Sequence, residues 1–105
     1  MSLFKKFFSI FAAISFVVSL ALPVQAKVEG DTIILGAAVS LTGKYSTNGE
    51  HTQNGYNMAV QRINDMGGVT VGGKSYKFDI IYYDDESDSG RAAQLAERLI
   101  KQDGV

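Results

Sequence analysis

The sequence predicts an α/β fold that opens a parallel sheet, in the order strand, helix, hairpin, strand, helix. Three observations carry this. Thr32 to Val39 is an almost unbroken apolar run, and Tyr76 to Tyr83 is a second run rich in aromatic and β-branched side chains. Each run is followed by a segment whose apolar residues recur at helical spacing. A strand covered on both faces has the continuous apolar character of the first run. The connection between the two runs is long enough for a helix and a right-handed parallel crossover, and alternating strands and helices define the α/β class.

The elements follow in order. Thr32 to Val39 supplies Ile33, Ile34, Leu35, Ala37, Ala38 and Val39 to the first strand. Ser40 to Gly49 is polar and punctuated by glycine, which predicts a loop. Thr52 to Met66 takes helical spacing, with Tyr56, Ala59, Val60, Ile63 and Met66 expected on one buried stripe, and Gly67-Gly68 ends it. Val69 and Val71 flank Thr70, and Gly72-Gly73 is a two-residue hairpin turn. Tyr76 to Tyr83 forms the second main strand and ends in the acidic loop Asp84 to Asp88. A second helix is expected from Ser89 to Gln102, its core stripe being Ala92, Leu95, Ala96, Leu99 and Ile100. Asp88 suits its N-cap, Lys101 its negative C-terminal end, and Gly104 the left-handed position after it. Val105 stands where a third strand would begin.

Ahead of this unit, residues 1–26 form a cleavable signal peptide. Lys5 and Lys6 give the basic start, Phe7 to Leu22 the apolar stretch, Pro23 the break, and Val24-Gln25-Ala26 the small residues of a cleavage site after Ala26. The alternative is an uncleaved anchor, against which the run is short and interrupted by three serines. The mature part, 27–105, carries eight basic and eleven acidic residues, a net charge of −3. Such an exported chain has no electrostatic reason to bind nucleic acid or anionic lipid. Cysteine is absent, which excludes a disulfide framework, a thiol nucleophile and a lipid anchor on cysteine. The expected location is the periplasm. A mature chain of this size makes a marginal domain, and is expected to fold poorly alone if its sheet needs further strands.

Several motifs invite a chemical reading and fail it. Gly68 to Ser75 matches the phosphate-binding pattern Gly-x4-Gly-Lys-Ser, but it follows a helix and precedes a strand, the reverse of the order that chemistry needs. The acidic loop lacks the Gly and the distal Glu of a calcium loop: Ser89 and Leu95, or Ala96 in the next register, stand there instead. His51 is the single histidine and no Gly-x-Ser-x-Gly elbow accompanies it. No enzyme, cofactor or metal is therefore expected.

The loop Ser40 to Gly49 leaves the carboxyl end of the first strand, where open parallel sheets place their ligands. Ser40, Thr42, Ser46 and Thr47 can donate to a carboxylate or other polar head group, Asn48 can donate and accept, and Tyr45 can cover an apolar moiety. By pattern alone a ligand loop and an ordinary connection with capping residues fit equally. Asn48, Tyr45, Ser40 and Thr42 are the candidate ligand contacts, Asn48 first.

Taken together, Ile34-Leu-Gly36, Ser40-Leu-Thr-Gly43, Asn48-Gly49, Gly55, Ala59-Val60, Ile63-Asn64, Gly67-Gly68-Val69, Gly73-Lys74, Tyr83-Asp84-Asp85, Asp88, Leu99-Ile100 and Asp103-Gly104-Val105 resemble the periplasmic leucine/isoleucine/valine-binding proteins, the type I solute-binding proteins of ABC importers. The resemblance implies two α/β lobes closing on a small ligand, of which this sequence would be a partial N-terminal lobe. It implies capture of a branched-chain amino acid or related small carboxylate for an ABC permease in the inner membrane, without chemistry on the solute. Three positions depart from the family pattern, of which Ser89, in place of a proline at the first helical position, is a tolerable change and the other two bear on the ligand. Asn48 stands where an aromatic residue lines the cleft, and Lys44 replaces a proline. These departures imply a more polar or aromatic ligand, or a carboxylate held differently. The rival readings are a ligand-sensing receptor domain, an enzyme on a flavodoxin-like sheet using the carboxylates of the acidic loop, and an inactive truncated product.

Overall fold

A computed structural model describes residues 25–105. The signal peptide lies outside the described residues except for Gln25 and Ala26, which are exposed and outside any regular element. Six elements follow: β1 (Val28–Glu29), β2 (Thr32–Val39), α1 (Ser46–Asp65), β3 (Val69–Val71), β4 (Lys74–Asp84) and α2 (Ser89–Lys101). They form one four-stranded sheet in the order β1-β2-β4-β3, with the two helices packed on it.

β2 and β4 are parallel, in a register that runs from Thr32 opposite Lys77 to Val39 opposite Asp84. Both strands therefore end at the same level, and their following loops leave the sheet side by side. β1, which the sequence reading missed, is a two-residue antiparallel partner of Thr32 and Ile33. β3 pairs antiparallel with the start of β4 through the Gly72-Gly73 turn, where φ is 58° and 79°. Positive φ at both turn residues is what a tight hairpin of right-twisted strands requires. The apparent phosphate loop is thus a hairpin, and Lys74 in it pairs with Asp31 at 3.0 Å.

Strand alternation sorts the two faces. Tyr82 reaches α1, donating to Asn57 Oδ1 at 2.6 Å, while Tyr83 reaches the end of α2, donating to Asp103 Oδ2 at 2.7 Å. Gly36 lies under Leu99 of α2, and a Cβ there would stand 2.7 Å from the Leu99 side chain. Asp88 caps α2 as expected, accepting from the Arg91 N–H at 2.7 Å.

Two expectations need correction. α1 begins at Ser46 rather than Thr52, so the end of the expected loop is helical. The core stripes are also only partly buried. Ile34, Val39, Leu95 and Leu99 form the buried apolar core, while Tyr56, Met66 and Ile100 are exposed. For Tyr56 the reason is the placement of α1, which lies mainly over β4. Its flank toward β2 borders an apolar groove of about 510 Å³ between Leu35, Ala37, Tyr56, Val60 and Ile63.

Candidate functional site

The site is built where β2 and β4 end. Gly43, at φ 88°, turns the chain after β2, and the Ser46 N–H donates to its carbonyl at 3.1 Å as α1 starts. Gly49 is buried in the first turn of α1 against the Ser40 carbonyl. A Cβ there would collide with that oxygen, so only glycine lets the helix begin this close to the strand end.

The acidic loop holds this segment. Asp84 Oδ1 accepts from the N–H groups of Leu41 at 3.0 Å, Thr42 at 3.1 Å and Glu86 at 2.9 Å, and its Oδ2 accepts from Thr42 Oγ1 at 2.6 Å. Asp85, buried, accepts from Ser40 Oγ at 2.6 Å and from the Ser87 N–H at 2.8 Å. Ser87 Oγ donates to the Thr42 carbonyl at 2.7 Å and accepts from the Tyr45 N–H at 3.1 Å. The Thr42 hydroxyl, followed by the Glu86 N–H, holds the Asp84 carboxyl below its ordinary pKa, because donors favour the ionised form more than partial desolvation opposes it.

Between the β2 end and α1 lies an open groove of about 360 Å³, bordered by Ser40, Tyr45, Asn48, Thr52 and Tyr56, with Asp85 among its lining. Three of the four sequence candidates meet there. Asn48 is exposed in the first turn of α1, and among the described residues no hydrogen bond occupies its carboxamide. Tyr45 is half exposed, with Lys44 Nζ 4.7 Å from its ring centroid. Ser40 borders the groove, but its proton is given to Asp85. Thr42 is not among the lining residues, and its hydroxyl is spent on Asp84.

Thr52, Tyr56 and Asp85 are lining residues that the sequence reading did not select. Once the helix is known to start at Ser46, Asn48, Thr52 and Tyr56 fall at i, i+4 and i+8 on one face. Misplacing the helix start hid that stripe. His51 is exposed and does not border the groove. The groove thus offers phenols, a carboxamide and hydroxyls, groups that recognise a small polar molecule by hydrogen bonding and ring contact.

Residues 32–105 match the family of periplasmic binding proteins. The chain belongs to that family. Two solved structures of such binding proteins superpose on it. One is the branched-chain amino acid transporter substrate-binding protein of Streptococcus pneumoniae in complex with isoleucine, with a TM-score of 0.61 and 30% identity over 70% of this chain. The other is a putative branched-chain amino acid ABC transporter protein of Silicibacter pomeroyi, with a TM-score of 0.60 and 31% identity over 70% of this chain. This periplasmic binding protein chain spans 20% and 18% of the length of those two chains. The expected α/β class and the resemblance to the leucine/isoleucine/valine-binding proteins both stand.

Proposed function

We propose that residues 27–105 form the opening part of the N-terminal lobe of a solute-binding protein of an ABC importer. Residues 1–26 are its export signal, the periplasm is its location, and an inner-membrane permease receives its cargo. The cargo is an amino acid or a related small carboxylate, which is held and handed on unchanged. The single observation that carries this reading is the groove at the carboxyl ends of two parallel strands, the place where open α/β sheets bind ligands, on a chain of this family. A second lobe closing over that groove would trap the solute, and the loaded, closed form would engage the permease.

Within the groove, Asn48 and Tyr45 are the ligand contacts, Ser40 borders them with its free lone pairs, and Thr42 holds the loop from behind. The polar rim supports a solute more polar or more aromatic than a branched aliphatic amino acid.

Calorimetric titration of the complete polypeptide with the twenty standard amino acids tests the class. Asn48→Ala is expected to weaken the tightest of them roughly tenfold, the loss of about one charge-assisted hydrogen bond, while leaving the fold intact. Unchanged affinity removes Asn48 from the site. No binding by the parent protein to any amino acid or small carboxylate removes the function.

A further inference from the structure

We infer that Asp84 and Ser87 are positioning residues for the proposed groove: they fix where Tyr45 and Asn48 stand. The inference rests on the solute-binding reading above and adds to it residues that do not contact the solute. The backbone between β2 and α1 lies outside the sheet ladder, which ends at Val39 opposite Asp84. Its N–H group at Thr42 goes to the Asp84 carboxylate, the one at Leu41 is shared between that carboxylate and the Val39 carbonyl, each at 3.0 Å, and the one at Tyr45 goes to Ser87 Oγ. The same Ser87 hydroxyl closes on the Thr42 carbonyl, so one side chain grips the loop at two points three residues apart.

The grip is held in a costly backbone. Glu86 and Ser87 have φ of 56° and 62°, the left-handed region that side chains with a Cβ avoid. Such conformations persist where the surroundings over-determine them, and they cluster at functional sites. A glycine at position 87 would take this φ freely but would lose the hydroxyl. The opposing loop supplies the matching allowance: a Cβ on Gly43 would stand 2.7 Å from Ser87 Oγ. Tyr45 is the residue from which α1 springs, so releasing its N–H frees the first helical turn and Asn48 with it. A wall held ready in its binding geometry loses less freedom when the solute arrives.

The test uses the complete polypeptide and its Ser87→Ala, Ser87→Gly, Asp84→Ala and Asp84→Asn variants. Titration is with L-isoleucine and the other standard amino acids, at a temperature where circular dichroism finds each variant folded. Ser87→Ala and Asp84→Ala are expected to weaken binding roughly tenfold, and Asp84→Asn, which keeps an acceptor for the Leu41 and Thr42 amides, to recover most of it. Ser87→Gly is expected to melt above Ser87→Ala, its φ being relieved, yet to bind as weakly. Independently of any solute, amide exchange at Tyr45 should quicken about tenfold or more in both Ser87 variants. Affinity that simply follows melting temperature, affinity that does not change, or unaltered Tyr45 exchange overturns the positioning role. A parent protein that binds none of these amino acids overturns the binding reading instead, and the Tyr45 exchange result then still decides whether the loop is held as described.

Discussion

Gly49 shows how much one missing methyl group decides in this chain. It is buried in the first turn of α1, and a Cβ would meet the Ser40 carbonyl, which is backbone and cannot swing aside. Gly49→Ala is therefore expected to destabilise by about 1–3 kcal/mol or more, as overpacking does, read as a lowered urea midpoint; an unchanged midpoint would show that the helix start can shift at no cost. Asp84 adds a pH dependence. Its folded pKa is below the ordinary 3.8, so it contributes stability that is present above that value and lost as pH falls through the lower folded one. Asp84→Asn should flatten this acid limb, which lies below the ordinary 3.8, followed by circular dichroism, and a limb that stays as steep would place the acid sensitivity elsewhere. The hydroxyl-rich loop was legible as a sequence feature. What Ser40 and Thr42 bond to was not, because their partners lie 45 and 42 residues away and meet them only through the parallel register.

Along each element, hydrophobic period located both main strands and α2 closely, and the glycine pairs located the end of α1 and the hairpin. The start of α1 was missed for a physical reason. Its first turn, Ser46-Thr47-Asn48-Gly49, holds residues that favour turns and caps and no large apolar side chain, so no apolar period marks it. The other end of α1 holds a link that no periodicity reveals. Asn64 Nδ2 donates to the Phe78 carbonyl and its Oδ1 accepts from the Phe78 N–H, both at 2.8 Å, so one carboxamide behaves as a short extra strand against β4. Asn64→Ala leaves both Phe78 backbone groups without that partner. The expected cost is about 1–3 kcal/mol, with faster amide exchange at Phe78; protection that survives at Phe78 would mean that water or a shifted β3 replaces the carboxamide.

For the molecule as a whole, the balance of burial is thin. Four apolar side chains, Ile34, Val39, Leu95 and Leu99, are buried among the described residues, against Met58 and Met66 at 71% exposure and Ile100 at 67%. β2 is paired on one side along its whole length, but on the other only at Thr32 and Ile33, apart from the Ile34 N–H given to the Lys27 carbonyl at 2.9 Å. The apolar groove beside it keeps Leu35 41% and Tyr56 47% exposed. Helical spacing reports which residues share a face and cannot report whether anything covers that face. A domain near 60 residues buries only about 60% of its unfolded surface even when its core is closed, and here much of the apolar surface remains in contact with water. Residues 27–105 produced alone are therefore expected to unfold in urea over a broad, shallow transition, to bind a hydrophobic dye such as ANS before unfolding, and to show no change in melting temperature with any amino acid. The last expectation follows from the groove's geometry: it is open, and a small ligand needs most of its surface enclosed to be held. A sharp two-state transition without dye binding, together with a melting temperature raised by an amino acid, would show that one wall suffices for both folding and capture.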